Sequence, residues 1–287
     1  MKTAVSTYSF HKLINSGEMT QFDCIAKAKE MGFDAIEFVE VIPHDGLGAE
    51  EYAEKLRKET ERLNIAVSNF TFGADFLNGM NGDTTAEIER VKKMIDLAAV
   101  IGAKSVRHDA TTGNPNYRSF DAALKTIADA CREVTEYAAQ KGIKTAVENH
   151  GYFCQDSERV EKLFNAVNHP NFGLLTDMGN FLCADEDPAR AFSRVAPYAI
   201  YAHAKDFILK SAMEPSPGRG FFCSRSGNYL RGTIVGHGVV PVKHCLTALK
   251  RAGYDGYVAI EFEGLEDTIT SIETGLENLK RYISELD

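Results

Sequence analysis

Residues 85–108 read TAEIERVKKMIDLAAVIGAKSVRH, and they hold the two patterns that decide the fold. The first part repeats apolar residues at helical spacing. Ile88, Val91, Ile95, Ala98 and Ala99 fall at i, i+3, i+7, i+10 and i+11, with Glu87, Glu89, Arg90, Lys92 and Lys93 elsewhere. An amphipathic helix has this arrangement. Gly102 supplies the residue that commonly closes a helix in the left-handed region, and a short β-rich run follows at 105–108. The same order of helix, glycine and apolar entry recurs at Met31-Gly32-Phe33, Lys141-Gly142-Ile143 and Ala252-Gly253-Tyr254.

Outward from that unit, β-rich runs are expected at 4–9, 35–39, 66–70, 105–108, 144–148, 173–176, 200–204 and 258–262. Helical patterns separate them, at 20–31, 49–63, 85–101, 120–140, 158–167, 188–195 and 241–251, with a last one at 266–285. Strands that alternate with helices pair in parallel through crossovers. An open doubly wound sheet would carry a glycine-rich turn after its first strand; Ser9, Phe10, His11 and Lys12 stand there instead. Eight strands favour a closed (β/α)8 TIM barrel, of α/β class, as one domain over residues 1–287. Spread over eight units, 287 residues give about 36 each, room for strand, loop, helix and return. Residues 210–238 break the pattern: rich in Gly, Ser, Pro and Arg, they are expected to form a long irregular loop after strand 7, on the face where such barrels carry their sites.

Charge and cysteines narrow the function classes. The chain has 32 Lys and Arg against 41 Asp and Glu, a formal charge of −9, which argues against nucleic acid as a partner. Cys24, Cys131, Cys154, Cys183, Cys223 and Cys245 form no CxxC pair and no zinc-knuckle spacing, and read as reduced thiols of a cytoplasmic protein. The N-terminal run lacks the apolar core of a signal peptide, and no stretch is apolar for long enough to span a membrane.

Four neighbouring strands stay apolar until they deliver an ionisable group at the same height: Glu148, Asp177, His203 and Glu261. Each alone reads as a satisfied strand-end group, and Asp177 could cap the helix that follows. Together they would repel one another, or be costly to bury, without a cation, so the set reads as the ligands of one divalent metal ion. Three carboxylates and an imidazole suit Mn²⁺ best, with Mg²⁺, Co²⁺ and Zn²⁺ also compatible.

The stretches GFDAIEF (32–38), AVENHG (146–151), LLTDMGN (174–180), HAKD (203–206), GHG (236–238) and AIEFEG (259–264) make the chain resemble the xylose isomerase-like TIM-barrel superfamily, the sugar phosphate isomerase/epimerase group. The resemblance implies a mononuclear metal site at Glu148, Asp177, His203 and Glu261, and a homo-oligomer. In the ketose 3-epimerases of that group, the glutamates corresponding to Glu148 and Glu261 trade a proton next to a carbonyl. Chemically, a divalent ion acting as Lewis acid makes that carbon acidic, and a carboxylate on each face serves as acid or base. The implied function is therefore a metal-dependent isomerase or epimerase acting on a carbohydrate, a keto-sugar or sugar phosphate.

Two departures bear on this. The 3-epimerases carry His where Asn180 stands, and Arg where Leu209 stands. His150 and Lys205 each lie two residues beyond a ligand and should face the same way. His150 as acid or base would suit the alternative, a dehydratase or lyase acting on a keto-cyclitol or 3-keto-glycoside. Lys205, Asn180, Arg107, Glu37 and His108 complete the expected substrate-binding set; Lys205 could instead pair with Glu263, and Arg107 with Asp109. Lys210, Arg219, Arg225 and Arg231 lie in the 210–238 segment against one Glu214, which admits an anionic substrate. The DNA repair endonucleases of similar fold need a multi-zinc cluster with extra histidines; Asn69, Phe70 and Asn180 occupy those positions, which sets that reading aside. A non-catalytic sugar-binding barrel is the remaining option.

Overall fold

The computed structural model describes residues 1–44 and 46–286. In chain order its elements are β1 (Lys2–Ser6), α1 (His11–Asn15), α2 (Gln21–Met31), β2 (Ala35–Val39), α3 (Ala49–Leu63), β3 (Ala66–Phe72), α4 (Gly79–Gly82) and α5 (Thr84–Ile101). There follow β4 (Ser105–His108), α6 (Phe120–Gln140), β5 (Lys144–Glu148), α7 (Ser157–Val167), β6 (Phe172–Asp177), α8 (Pro188–Val195) and β7 (Ala199–Ala204). The last are β8 (Asp206–Lys210), β9 (Phe222–Cys223), β10 (Tyr229–Thr233), α9 (Val242–Arg251), β11 (Tyr257–Ile260) and α10 (Thr268–Ser284). Strands β1 to β7 and then β11 close a parallel barrel, with β11 paired back to β1. No helix among the described residues is long and apolar enough to cross a membrane.

Local chemistry sets the element ends. The side chains of Thr20, Asp83, Ser119, Asp156, Asp187 and Asp267 each accept a backbone N–H from the first turn of the helix they precede. Such caps satisfy donors the helix cannot satisfy itself. Gly102 closes α5 at φ 90°, a conformation that costs other residues strain.

Inside the barrel, Ala4, Ala35, Ala146, Leu175, Tyr201 and Ala259 pack as one buried layer. Tyr201 fills the space that four alanines leave, and its hydroxyl meets Ser68 Oγ at 2.7 Å. Side chains two residues apart on a strand face the same way. The residues two beyond Ala35, Ala146, Leu175, Tyr201 and Ala259 are Glu37, Glu148, Asp177, His203 and Glu261. The layer is thus the floor on which the site stands.

Two expectations are corrected. The first strand ends at Ser6, not Ser9, because Ser6 Oγ accepts the Tyr8 N–H and turns Thr7–Phe10 into a 3₁₀ helix. Residues 210–238 are not irregular throughout: β8, β10 and β9 form an antiparallel three-stranded sheet, with Lys210 opposite Tyr229 and Phe222 opposite Leu230. β9 and β10 are joined by a short turn at residues 224–228, whereas β8 and β10 pair across a long stretch of sequence.

Candidate metal centre and active site

Glu148, Asp177, His203 and Glu261 are all buried, and one ligating atom from each lies within 4.8 Å of every other. His203 Nδ1 stands 3.6 Å from Glu148 Oε1, 3.8 Å from Asp177 Oδ2 and 3.6 Å from Glu261 Oε2. These gaps are too long for good hydrogen bonds. They are near the separation of two atoms that share an ion about 2.1 Å away.

Hydrogen bonding behind the set fixes how each ligand points. His203 Nε2 meets Glu37 Oε2 at 2.7 Å. Glu37 is itself held by Asn69 at 2.9 Å and Thr71 at 2.5 Å. With Nε2–H donated to Glu37, the Nδ1 lone pair faces three carboxylates. That orientation is favourable only with positive charge between them, a metal ion or a proton on the ring. His203 Nδ1 and Asp177 Oδ2 are the two atoms of the set that are buried and lack any hydrogen-bond partner. Asp177 Oδ1 accepts from the backbone of Gly179 at 2.8 Å and Asn180 at 2.7 Å. Oδ1 thus caps the following backbone, and Oδ2 is the oxygen left able to ligate an ion. The donor set fits a divalent ion.

The electrostatics agree. Burial, reinforced by Glu148 and Glu261 and opposed by Lys205, raises the Asp177 carboxyl to about 7. Burial disfavours the His203 imidazolium, but Glu37 and Glu261 outweigh it and hold the ring well above its ordinary value. The residues alone are short of positive charge, and both shifts act to supply it as protons.

Around the set lie the expected substrate groups. Asn180 donates to Glu148 Oε1 at 3.0 Å and accepts from Lys205 at 3.2 Å. Lys205 contacts Glu261 at 2.5 Å, with Asp177 at 3.7 Å and Glu263 at 3.9 Å. Arg107 meets Glu148 at 2.6 Å and Asp109 at 2.9 Å, so its guanidinium is engaged by protein carboxylates. Burial pushes the Glu148 carboxyl up, but Arg107 and His203 override it and hold it at about 2. His150 Nδ1 meets Asp109 Oδ1 at 2.9 Å, and its ring is 47 % exposed.

His150, Asn180, Lys205, Glu263, Tyr152 and Phe222 belong to the lining of one cavity of about 300 Å³. A cavity of about 710 Å³ lies elsewhere, between Leu77 and Tyr117, and contains none of these residues.

Three expected substrate residues are not in the lining of the cavity of about 300 Å³: Arg107, held by Glu148 and Asp109, Glu37 and His108. Glu37 is behind His203, where it orients the ring. His108 points to the opposite side of β4 from Arg107, between Phe72 and Phe76. Burial drives its imidazole down to about 4. The alternation of a strand separates neighbours in this way, and it was readable once Arg107 was placed inside.

The antiparallel sheet forms a flap over the cavity. Asp206 anchors both of its ends, accepting backbone N–H groups from Phe207, Gly236 and Gly238 at 2.9 Å and from Val240 at 3.0 Å. A Cβ on Gly238 would come within 2.2 Å of Asp206 Oδ1, which explains the glycine there. The far edge is tied down by Tyr152, whose hydroxyl donates to the Cys223 carbonyl at 2.8 Å, and by Arg225 on Asp156 at 3.1 Å. The basic residues of the segment are largely engaged: Lys210 with Glu214, Arg225 with Asp156 and Arg231 with Glu266. The sequence named Asp109 and Glu263 only as ion-pair partners of Arg107 and Lys205, and the structure shows both pairs; it gave no role to Asn149, which ties the ends of β5 and β6 together. Its signal was position beyond a strand end, shared with many residues of no function.

An inosose dehydratase of Geobacillus thermodenitrificans is 23 % identical over 281 residues, covering 94 % of this chain and 90 % of that protein. The fold of the IolI protein with a bound zinc atom matches with a TM-score of 0.77 at 18 % identity, covering 100 % of this chain and 99 % of that one. L-ribulose 3-epimerase matches with a TM-score of 0.73 at 14 % identity, covering 99 % and 94 %. Residues 25–282 match the sequence profile of the xylose isomerase-like TIM barrels, and with the closed eight-stranded barrel this shows that the chain belongs to that family.

Proposed function

We propose that the protein is a divalent-metal-dependent dehydratase that removes water from a ring-shaped keto-polyol. The observation that carries this reading is the pairing of the two glutamates. An epimerase that trades a proton between Glu148 and Glu261 needs both to change protonation state readily. Here Glu148 is held by Arg107 at 2.6 Å and Glu261 by Lys205 at 2.5 Å. A fixed cation beside a carboxylate makes it a weak base. The positions of the 3-epimerase His and Arg are Asn180 and Leu209. The inosose dehydratase relative points the same way. The isomerase or epimerase that the family resemblance implied therefore yields to its alternative.

Glu148, Asp177, His203 and Glu261 would hold the ion, and Glu37 keeps His203 in the ligating tautomer. When bound, the ion supplies stabilisation of the negative charge that develops on the carbonyl oxygen as the neighbouring carbon loses its proton. His150 is the group free to move that proton. Its Nδ1–H is given to Asp109, which leaves Nε2 as the acceptor. As imidazolium, steadied by Asp109, it returns the proton to the hydroxyl on the next carbon, which departs as water. Lys205 and Asn180 orient the substrate's oxygens, and the flap limits entry of bulk water. The cavity of about 300 Å³ is of a size for one six-membered ring.

The test is incubation of the Mn²⁺-loaded protein with an inosose in D₂O. Loss of one water and growth of ultraviolet absorption from the unsaturated ketone are expected, with a fall of about a thousandfold in His150→Gln. A product of the substrate's own composition, carrying solvent deuterium, would overturn the reading in favour of epimerisation.

A further inference from the structure

Glu263 takes no part in the steps above, yet it lines the cavity beside His150 and Lys205. Its side chain is 20 % exposed, and its nearest cation, Lys205 at 3.9 Å, already contacts Glu261 at 2.5 Å. Among the described residues no protein group donates a hydrogen bond to its carboxylate. The flap does not supply one: Lys210, Arg225 and Arg231 are engaged with Glu214, Asp156 and Glu266. The flap does fix the residue in place. A Cβ on Gly232 of β10 would come within 2.6 Å of Glu263 Cγ and 2.8 Å of its carbonyl carbon, so only glycine lets the strand lie this close. A carboxylate held against a wall, with no hydrogen bond donated to either oxygen and facing the cavity, accepts hydrogen bonds from what enters.

Resting on the keto-polyol dehydratase reading, we propose that Glu263 is the specificity-determining residue of the site. It selects an uncharged ring with adjacent hydroxyls and rejects rings that carry a carboxylate or phosphate. Two hydroxyls on neighbouring carbons can donate to its two oxygens, while an anionic substituent beside it would meet a fixed like charge. The basic flap segment, which by composition admits an anionic substrate, then serves to dock the flap.

The test compares dissociation constants of the Mn²⁺-loaded protein for an inosose and for 3-dehydroshikimate, a six-membered ring that carries a carboxylate. Wild type is expected to bind the inosose and to discriminate against the carboxylate. Glu263→Ala is expected to bind the inosose about 10- to 100-fold more weakly, the loss of one or two hydrogen bonds to a charged acceptor. Glu263→Gln keeps an acceptor without the charge; it should fall between for the inosose and gain affinity for 3-dehydroshikimate. Melting temperature and bound metal should be unchanged in both variants. Equal inosose affinity in wild type and Glu263→Ala overturns the proposal, as does tighter binding of 3-dehydroshikimate by wild type, or loss of the metal in both variants. These results are read from binding, so they are distinct from failure to eliminate water, which overturns the dehydratase reading instead.

Discussion

At the scale of single residues, neighbours on one strand have opposite fates. Arg107 faces inward and is held charged by Asp109 and Glu148, while His108 faces the helices and is held neutral by burial. The second fact gives a prediction. An unfolded His108 takes up its proton near pH 6.5, the folded one near 4. Between those values only the unfolded chain binds the proton, so this group's contribution to stability is full above pH 6.5 and falls as pH drops toward 4. The shift corresponds to about 3 kcal/mol. Denaturant unfolding at pH 7 and pH 4 should show wild type losing about that much more stability than His108→Phe. Equal losses in the two proteins would contradict the assignment.

At the scale of elements, the flap depends on one carboxylate. Asp206 gathers four backbone N–H groups from both ends of the segment. Asp206→Ala leaves those donors buried without a partner, at a cost of about 1–3 kcal/mol each. The flap should open more often than the barrel. Tryptic cleavage at Arg219 or Arg225 is expected to accelerate about tenfold or more, with a higher KM and a smaller change in the barrel's melting temperature. Cleavage at the wild-type rate would show that the clamp does not control the flap. This element also marks where sequence reading stopped. The barrel strands were legible because each is a short apolar run bounded by helical periodicity. The flap strands were hidden because Tyr229–Thr233 pairs mainly with β8, far back in the chain, and its local partner β9 is only two residues long, too short to leave a pattern.

At the scale of the whole molecule, floor and site are one construction. The Ala-rich layer beneath the ligands makes room for Tyr201, and the strand period carries each ligand two residues above it. Tyr201→Ala should cost about 3–5 kcal/mol through the cavity it opens. Tyr201→Phe should cost about 1 kcal/mol, because Ser68 keeps its bond to the Ile36 carbonyl. Chemical unfolding checks both; equal effects would place the stabilisation in the hydroxyl rather than the ring. The convergence of Glu148, Asp177, His203 and Glu261 was legible because period-two alternation and a strand-end carboxylate or imidazole are both written locally. The contacts of Glu37 with His203 and of Asp109 with His150 were not, because each depends on a partner supplied by another strand.

Everything proposed for this protein rests on Glu148, Asp177, His203 and Glu261 acting as one metal centre. The direct measurement is metal content after equilibration with Mn²⁺ and removal of free ion, for wild type and Asp177→Asn. Burial already favours an uncharged Asp177, so the amide should fold at least as stably as wild type in the presence of chelator. Wild type should retain one ion per chain, and Asp177→Asn should retain little. Absence of bound metal in wild type, or equal retention by the two, would contradict the metal centre.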